Sequence, residues 1–126
     1  MTPLERCLAA YAVSTINGCA LIVPELESRL AALGAPRCLI ANIERAAGRW
    51  SVSDDDRIDA IAGYAARLTR SPADLGAGDL RQLRAVGLDD ADIFALNQVV
   101  ASYNYVTRVA IRPIVKGGAI RRAAPC

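Results

Sequence analysis

An all-α domain is the fold class this sequence predicts, and three observations carry the prediction. Apolar residues make up 53% of the 126 positions but aromatics only 5%. Ala, Leu, Ile and Val dominate, a balance that suits close helix packing by small side chains rather than a sheet sandwich. Capping residues and stop glycines recur at helix-length intervals. No segment sustains the period-two alternation of a half-buried strand. The length suits one domain. We read residues 1–116 as one compact domain of about six helices and 117–126, "GGAIRRAAPC", as a basic C-terminal tail.

The first helix is announced by "TPLE": Thr2 as N-cap, Pro3 at the first helical position and Glu5 three residues on, a capping box. Leu4, Leu8, Tyr11 and Ile16 supply apolar positions at near-helical spacing, and Asn17-Gly18-Cys19 breaks the run. "PELESRLAALG" restarts with Pro24 near its beginning and stops at Gly34; "PRCLIANIERAAG" ends at Gly48. In "SVSDDDRIDAIAGYAARLTRSP", Ser53 is the expected cap and Asp54, Asp55 and Asp56 favour the helix dipole. Ile58, Ile61, Ala62, Ala65 and Leu68 form its apolar face. "SPADLGAGD" reads as a loop, and "DLRQLRAVG" as a short helix closed by Gly87. The last helix, from "DDADIF" onward, is long and strongly apolar, and ends or kinks before Pro113. It exceeds what a lone small domain needs to bury, so a homo-oligomer is expected. There is no repeat and no internal domain boundary.

Composition excludes several functions. The net charge is +2, and 15 basic residues are scattered among 13 acids. A polyanion binder would show a basic stripe with interleaved aromatics, so no nucleic-acid partner is expected. No apolar run reaches a membrane span, so no membrane partner is expected. An acid at Glu5 and no signal-peptide pattern point to the cytoplasm. Four cysteines, Cys7, Cys19, Cys38 and Cys126, show no paired spacing, and there is no His. Metal ligation and a bound cofactor are therefore not expected. Cys7 and Cys38 read as free buried thiols.

Three stretches in order resemble the alkylhydroperoxidase D-like, carboxymuconolactone decarboxylase family, nearest its single-domain, peroxidase-related branch: "LERCLAAYAVSTINGC", "RIDAIAGYAARLTRSPADLGAGDLRQLRAVGLDDADI" and "NQVVASYNYVTRVA". The last is similar to a family run usually written Tyr/Phe-Asn-Phe-Val-Asn-Arg, and here reads Tyr103-Asn104-Tyr105-Val106-Thr107-Arg108. The resemblance spans roughly residues 4–110. It implies a family redox motif, Cys-x-x-Cys-x-x-x-His, preceded by a Glu. In redox members a helix N-terminus and a nearby acid–base pair control the thiols; one thiolate attacks peroxide and the second resolves the sulfenic acid. Here Cys19 matches the first Cys, Ile22 the second, Leu26 the His and Cys7 the Glu. The dithiol chemistry is lost at three positions of four. The family's assembly as trimers or hexamers is implied with the resemblance.

Each candidate residue has a functional and a structural reading. Cys19 is a nucleophile or a small apolar group at a helix junction. Glu25 is a general acid or base, or a solvated first-turn acid. Tyr64, Tyr103 and Tyr105 donate into a pocket or sit in the core. Asn104 and Arg108 lie one turn apart, and an Arg in so apolar a stretch needs an acid or a ligand anion. Asp54 to Asp56 are explained by the capped helix start. The leading expectation is a repurposed, cofactor-independent enzyme acting on a small hydrophobic metabolite. Its chemistry would be isomerisation, cyclisation, decarboxylation or dehydration. Glu25, Tyr64, Arg108 and Cys19 would be catalytic, and Cys7, Ile22, Leu26, Tyr103 and Asn104 would line the former redox pocket. The alternative is a non-catalytic binding or assembly subunit, with the old pocket filled by Ile22 and Leu26. A residual thiol peroxidase using Cys19 comes third.

Overall fold

The computed structural model describes residues 1–46 and 48–110. Among these are six α-helices and no strand: α1 (Pro3–Ile16), α2 (Ile22–Ala32), α3 (Arg37–Ala46), α4 (Asp56–Arg70), α5 (Ala77–Ala85) and α6 (Asp90–Tyr105). The predicted tail, Pro113 and Cys126 lie outside the described residues.

Helix α1 is the axis of the fold. Residues 7–14 are all buried, on every side of the helix. A helix apolar all round belongs inside, and Ala9, Ala10 and Ala12 let neighbours approach closely. Helices α2, α3, α4 and α6 pack against it, while α5 packs on α4. Tyr11, Leu8, Leu26, Leu30, Ile61, Leu83, Leu96 and Val100 are the large, fully buried side chains of this core. No helix among the described residues is long and apolar enough to cross a membrane.

The helix ends follow local chemistry. At the start of α1 the Thr2 hydroxyl accepts the Glu5 N–H at 3.1 Å and the Glu5 carboxylate accepts the Thr2 N–H at 2.9 Å, the capping box the sequence predicts. Gly34 and Gly87 take φ of +88° and +92° just after α2 and α5, where a side chain would be strained. Pro24 falls within the first turn of α2, where the backbone N–H groups have no intrahelical partner.

Two boundaries, the cap of α4 and the start of α5, differ from the sequence reading. Asp55, not Ser53, caps α4, accepting from the N–H groups of Arg57 at 2.9 Å and Ile58 at 3.2 Å. Ser53 is held back in the loop, because Asp59 on α4 accepts the Val52 N–H at 2.7 Å and Val52 is buried. Its hydroxyl instead accepts the Asp55 N–H at 3.1 Å. Helix α5 starts at Ala77, inside the stretch read as loop, and a 3-10 turn spans Pro72–Asp74. Helix α6 passes into a π-helical turn over Val106–Ala110.

Candidate functional site: a filled thiol corner and an open depression

The Asn17-Gly18 turn joins α1 to the start of α2, with Gly18 at φ +66°. The turn carries Cys19 into the protein, where it is 3% exposed and its N–H donates to the Ser14 carbonyl at 3.1 Å. Cys7 and Leu26 are buried and in contact: the Cys7 thiol points at the Leu26 carbonyl, 3.9 Å away. Burial pushes the Cys7 thiol pKa above its usual value. Ile22 is half-buried against the same core. Glu25, one residue before Leu26, is exposed and pairs with Arg29 one turn on, at 3.4 Å. Cys7, Cys19 and Cys38 are free thiols. Cys38 is exposed, which corrects the expectation of a buried thiol; the buried stripe of α3 runs through Leu39, Ile40, Ile43 and Ala46 and leaves it outside.

Asn104 and Arg108 do come together, at the end of the bundle where α1, α4 and α6 meet. The Asn17 amide donates to the Asn104 carbonyl oxygen and to the Thr107 hydroxyl, both at 2.9 Å. Asn104 donates to the Thr69 hydroxyl at 3.1 Å. Arg108 donates from Nε to Asn17 at 3.2 Å and from Nη2 to the Thr69 carbonyl at 2.8 Å. Among the described residues Arg108 pairs with no carboxylate of its own chain. It is exposed, and its charge meets a carbonyl in the last turn of α4, where the helix dipole favours a cation.

Tyr64 lies elsewhere. Its hydroxyl donates to Asn97 on α6 at 2.8 Å, and burial raises its pKa. Tyr103 packs half-buried on the core, while Tyr105 is exposed. Glu25, Tyr64 and Arg108 thus belong to three separate hydrogen-bond groups. Among the described residues no three His, Cys, Asp or Glu side chains come together so as to hold a metal ion.

The structure forms an open depression of about 220 Å³ in a different place, between the α3–α4 loop and α4. Ala62, Gly63 and Ala66 of α4, Ala12 of α1 and Ile43 of α3 are among its lining residues. Arg49, Trp50, Arg67 and Gln82 stand around it. None of the residues chosen from the sequence lines it. Gly48 brings the loop onto α4: its φ is +79°, and a Cβ added there would lie 2.3 Å from the Ala66 Cβ. Asp59 ties down the loop through the Val52 N–H and, at 3.0 Å, the Ser51 hydroxyl. Asn42 of α3 holds the Val52 carbonyl at 3.2 Å from the other side. A signal was present in the sequence: the chain's single Trp follows a stop glycine and an arginine in a short polar loop.

Comparison of the chain with profiles of known protein families and with curated proteins finds no match.

Proposed function

We propose that this chain is a non-catalytic assembly subunit with the alkylhydroperoxidase D-like helical architecture, in which the thiol site has become core. The observation that carries this reading is the contact of the Cys7 thiol with the Leu26 carbonyl in the buried interior. On the resemblance, these two positions correspond to the acid and the imidazole of a redox member. Here they are a buried thiol and an aliphatic residue of the same core. The groups that an enzyme reading would recruit, Glu25, Tyr64 and Arg108, are engaged in three separate places.

Assembly is supported by the outer face of α6. Phe94 and Tyr105 are 65% and 66% exposed, and Gln98 and Ala101 lie between them on the same stripe. No charged residue occurs from Ile93 to Thr107. The inner face of this helix, Ile93, Leu96 and Val100, is already buried in the domain core. A stripe with three- and four-residue spacing matches the ridges by which helices pack on one another. Self-association through α6 covers it, in a homo-oligomer of the trimer or hexamer kind.

Light scattering on the purified protein at micromolar concentration tests assembly: an oligomer is expected, converted to monomer by Phe94→Glu with Tyr105→Glu. A wild-type monomer would overturn it. A second assay tests the absence of catalysis. The protein is incubated without added cofactor with a small-molecule cell extract, and products are followed by mass spectrometry. No turnover is expected; a product that disappears in Glu25→Gln, Tyr64→Phe or Arg108→Met would restore the enzyme reading.

A further inference from the structure

We propose that the depression beside the α3–α4 loop is a binding site for a small organic anion with a planar apolar body, of the aromatic carboxylate class. Arg49 would receive the carboxylate, with Arg70 at the edge of the site just outside its lining, and Trp50 would cover the ring. This site is distinct from the thiol corner and does not depend on self-association.

Three features define the ligand. The first is size: about 220 Å³ is below the roughly 300–1,000 Å³ of sites for drug-sized molecules, so the ligand is small. The second is the apolar surface. Ala62, Gly63 and Ala66 present no side chain beyond a methyl, and a Cβ at Gly63 would meet nothing within 4 Å. Ala62 and Ala66 are 4% and 1% exposed, so the open part of this surface, on which a flat body can lie, is at Gly63. Trp50 stands at the rim with 57% of its surface exposed, although an indole gains free energy when an apolar ring covers it.

The third feature is charge. Arg67 is already held, by Asp79 at 2.7 Å and Gln82 at 3.4 Å. Asp59 is occupied by the loop, as described above. Arg49 and Arg70 are exposed, and among the described residues neither pairs with a carboxylate. The Arg70 Nε lies 3.6 Å from the point where a Gly48 Cβ would stand, so its guanidinium borders the same loop as Arg49. Arg49 lines the depression beside the exposed indole, and Arg70 stands outside its lining against the same loop; a guanidinium fork matches the planar carboxylate of an aromatic acid.

The test follows the indole N–H signal of Trp50, the chain's only Trp, in proton–nitrogen correlation spectra of the full chain at constant ionic strength. Titrants are benzoate, benzamide, cyclohexanecarboxylate and inorganic phosphate. Saturable shifts with benzoate are expected. Benzamide should bind at least about tenfold more weakly, because a charge-assisted hydrogen bond contributes about 1.5–3 kcal/mol. Arg49→Met and Arg70→Met should each weaken benzoate at least about tenfold, while Arg29→Met on α2 leaves it unchanged. Gly48→Ala, which displaces the loop, should abolish binding with the helical circular dichroism retained. Benzoate without saturation, benzamide as good as benzoate, or both arginine variants binding like wild type would each overturn the proposal. Phosphate matching benzoate would reduce the site to a bare anion site and overturn the aromatic part. Cyclohexanecarboxylate matching benzoate would overturn the planar requirement.

Discussion

Arg57 grips Glu5 with two prongs. Its Nε lies 2.6 Å from Oε1 and its Nη2 3.2 Å from Oε2. Glu5 is 8% exposed and also accepts the Thr2 N–H, so one carboxylate closes the start of α1 and anchors the first turn of α4. Nη1 of the same arginine reaches the Val86 carbonyl at 3.4 Å, adding the α5–α6 connection. The N-terminal amino group pairs with Asp92 of α6 beside them.

Breaking this pair should therefore cost more than an ordinary surface ion pair. Removing one partner of a fully buried pair costs about 3–5 kcal/mol. The Arg57 side chain is 30% exposed, which lowers the expected loss for Glu5→Gln or Arg57→Met to about 2–4 kcal/mol. Urea denaturation at neutral pH measures it. A double-mutant cycle should return a coupling of about 1–3 kcal/mol.

The same pair sets an acid limit on stability. The Arg57 hydrogen bond holds the Glu5 carboxyl below its ordinary 4.5, outweighing the opposing effect of burial. A depressed folded pKa means stability that is present above 4.5 and is lost as pH falls through the folded value. Wild type should lose stability more steeply than Glu5→Gln over that acid range. Parallel pH profiles of the urea midpoint would contradict this.

The thiols should divide by burial. Cys38 should react with iodoacetamide quickly, and Cys7 and Cys19 only as fast as the core opens. Peptide-resolved mass spectrometry reads the order. Fast labelling of Cys19 in the folded protein would reopen the thiol chemistry that the fold argues against.

Two glycines separate strain from collision. Gly34 and Gly48 both have positive φ, but a Cβ at Gly34 meets nothing within 4 Å whereas one at Gly48 meets Ala66 at 2.3 Å. Gly34→Ala should cost roughly 1–2 kcal/mol, the left-handed penalty alone. Gly48→Ala should cost about 2–4 kcal/mol, because overpacking adds to it. Thermal melts of the two variants side by side give the comparison.

Asn104 should matter more to stability than Arg108. Asn104 is partly buried and links Asn17, Thr69 and Val100. Asn104→Ala should cost about 1–3 kcal/mol by leaving those partners unsatisfied. Arg108 is exposed, so water can replace its hydrogen bonds, and Arg108→Ala should cost under about 1 kcal/mol. Equal losses in urea would refute the distinction.

The sequence by itself determined the all-α class, the helices and most of their ends. Those features are local: Thr2 finds Glu5 three residues away, and Gly34 or Gly87 ends a helix by its own backbone freedom. It misplaced the α4 cap because Ser53 and Asp55 are both good caps, and the choice depends on Asp59 holding Val52. Tertiary structure alone decided the rest. Arg57 meets Glu5 across 52 positions and Asn17 meets Asn104 across 87, so no local pattern announces either. Glu25 turns to Arg29, Arg108 turns to the end of α4, and the depression forms where Gly48 lets a loop lie on Ala66. Such meetings depend on how whole helices dock, and docking is set by the sum of many apolar contacts around α1 rather than by any residue's neighbours in the chain.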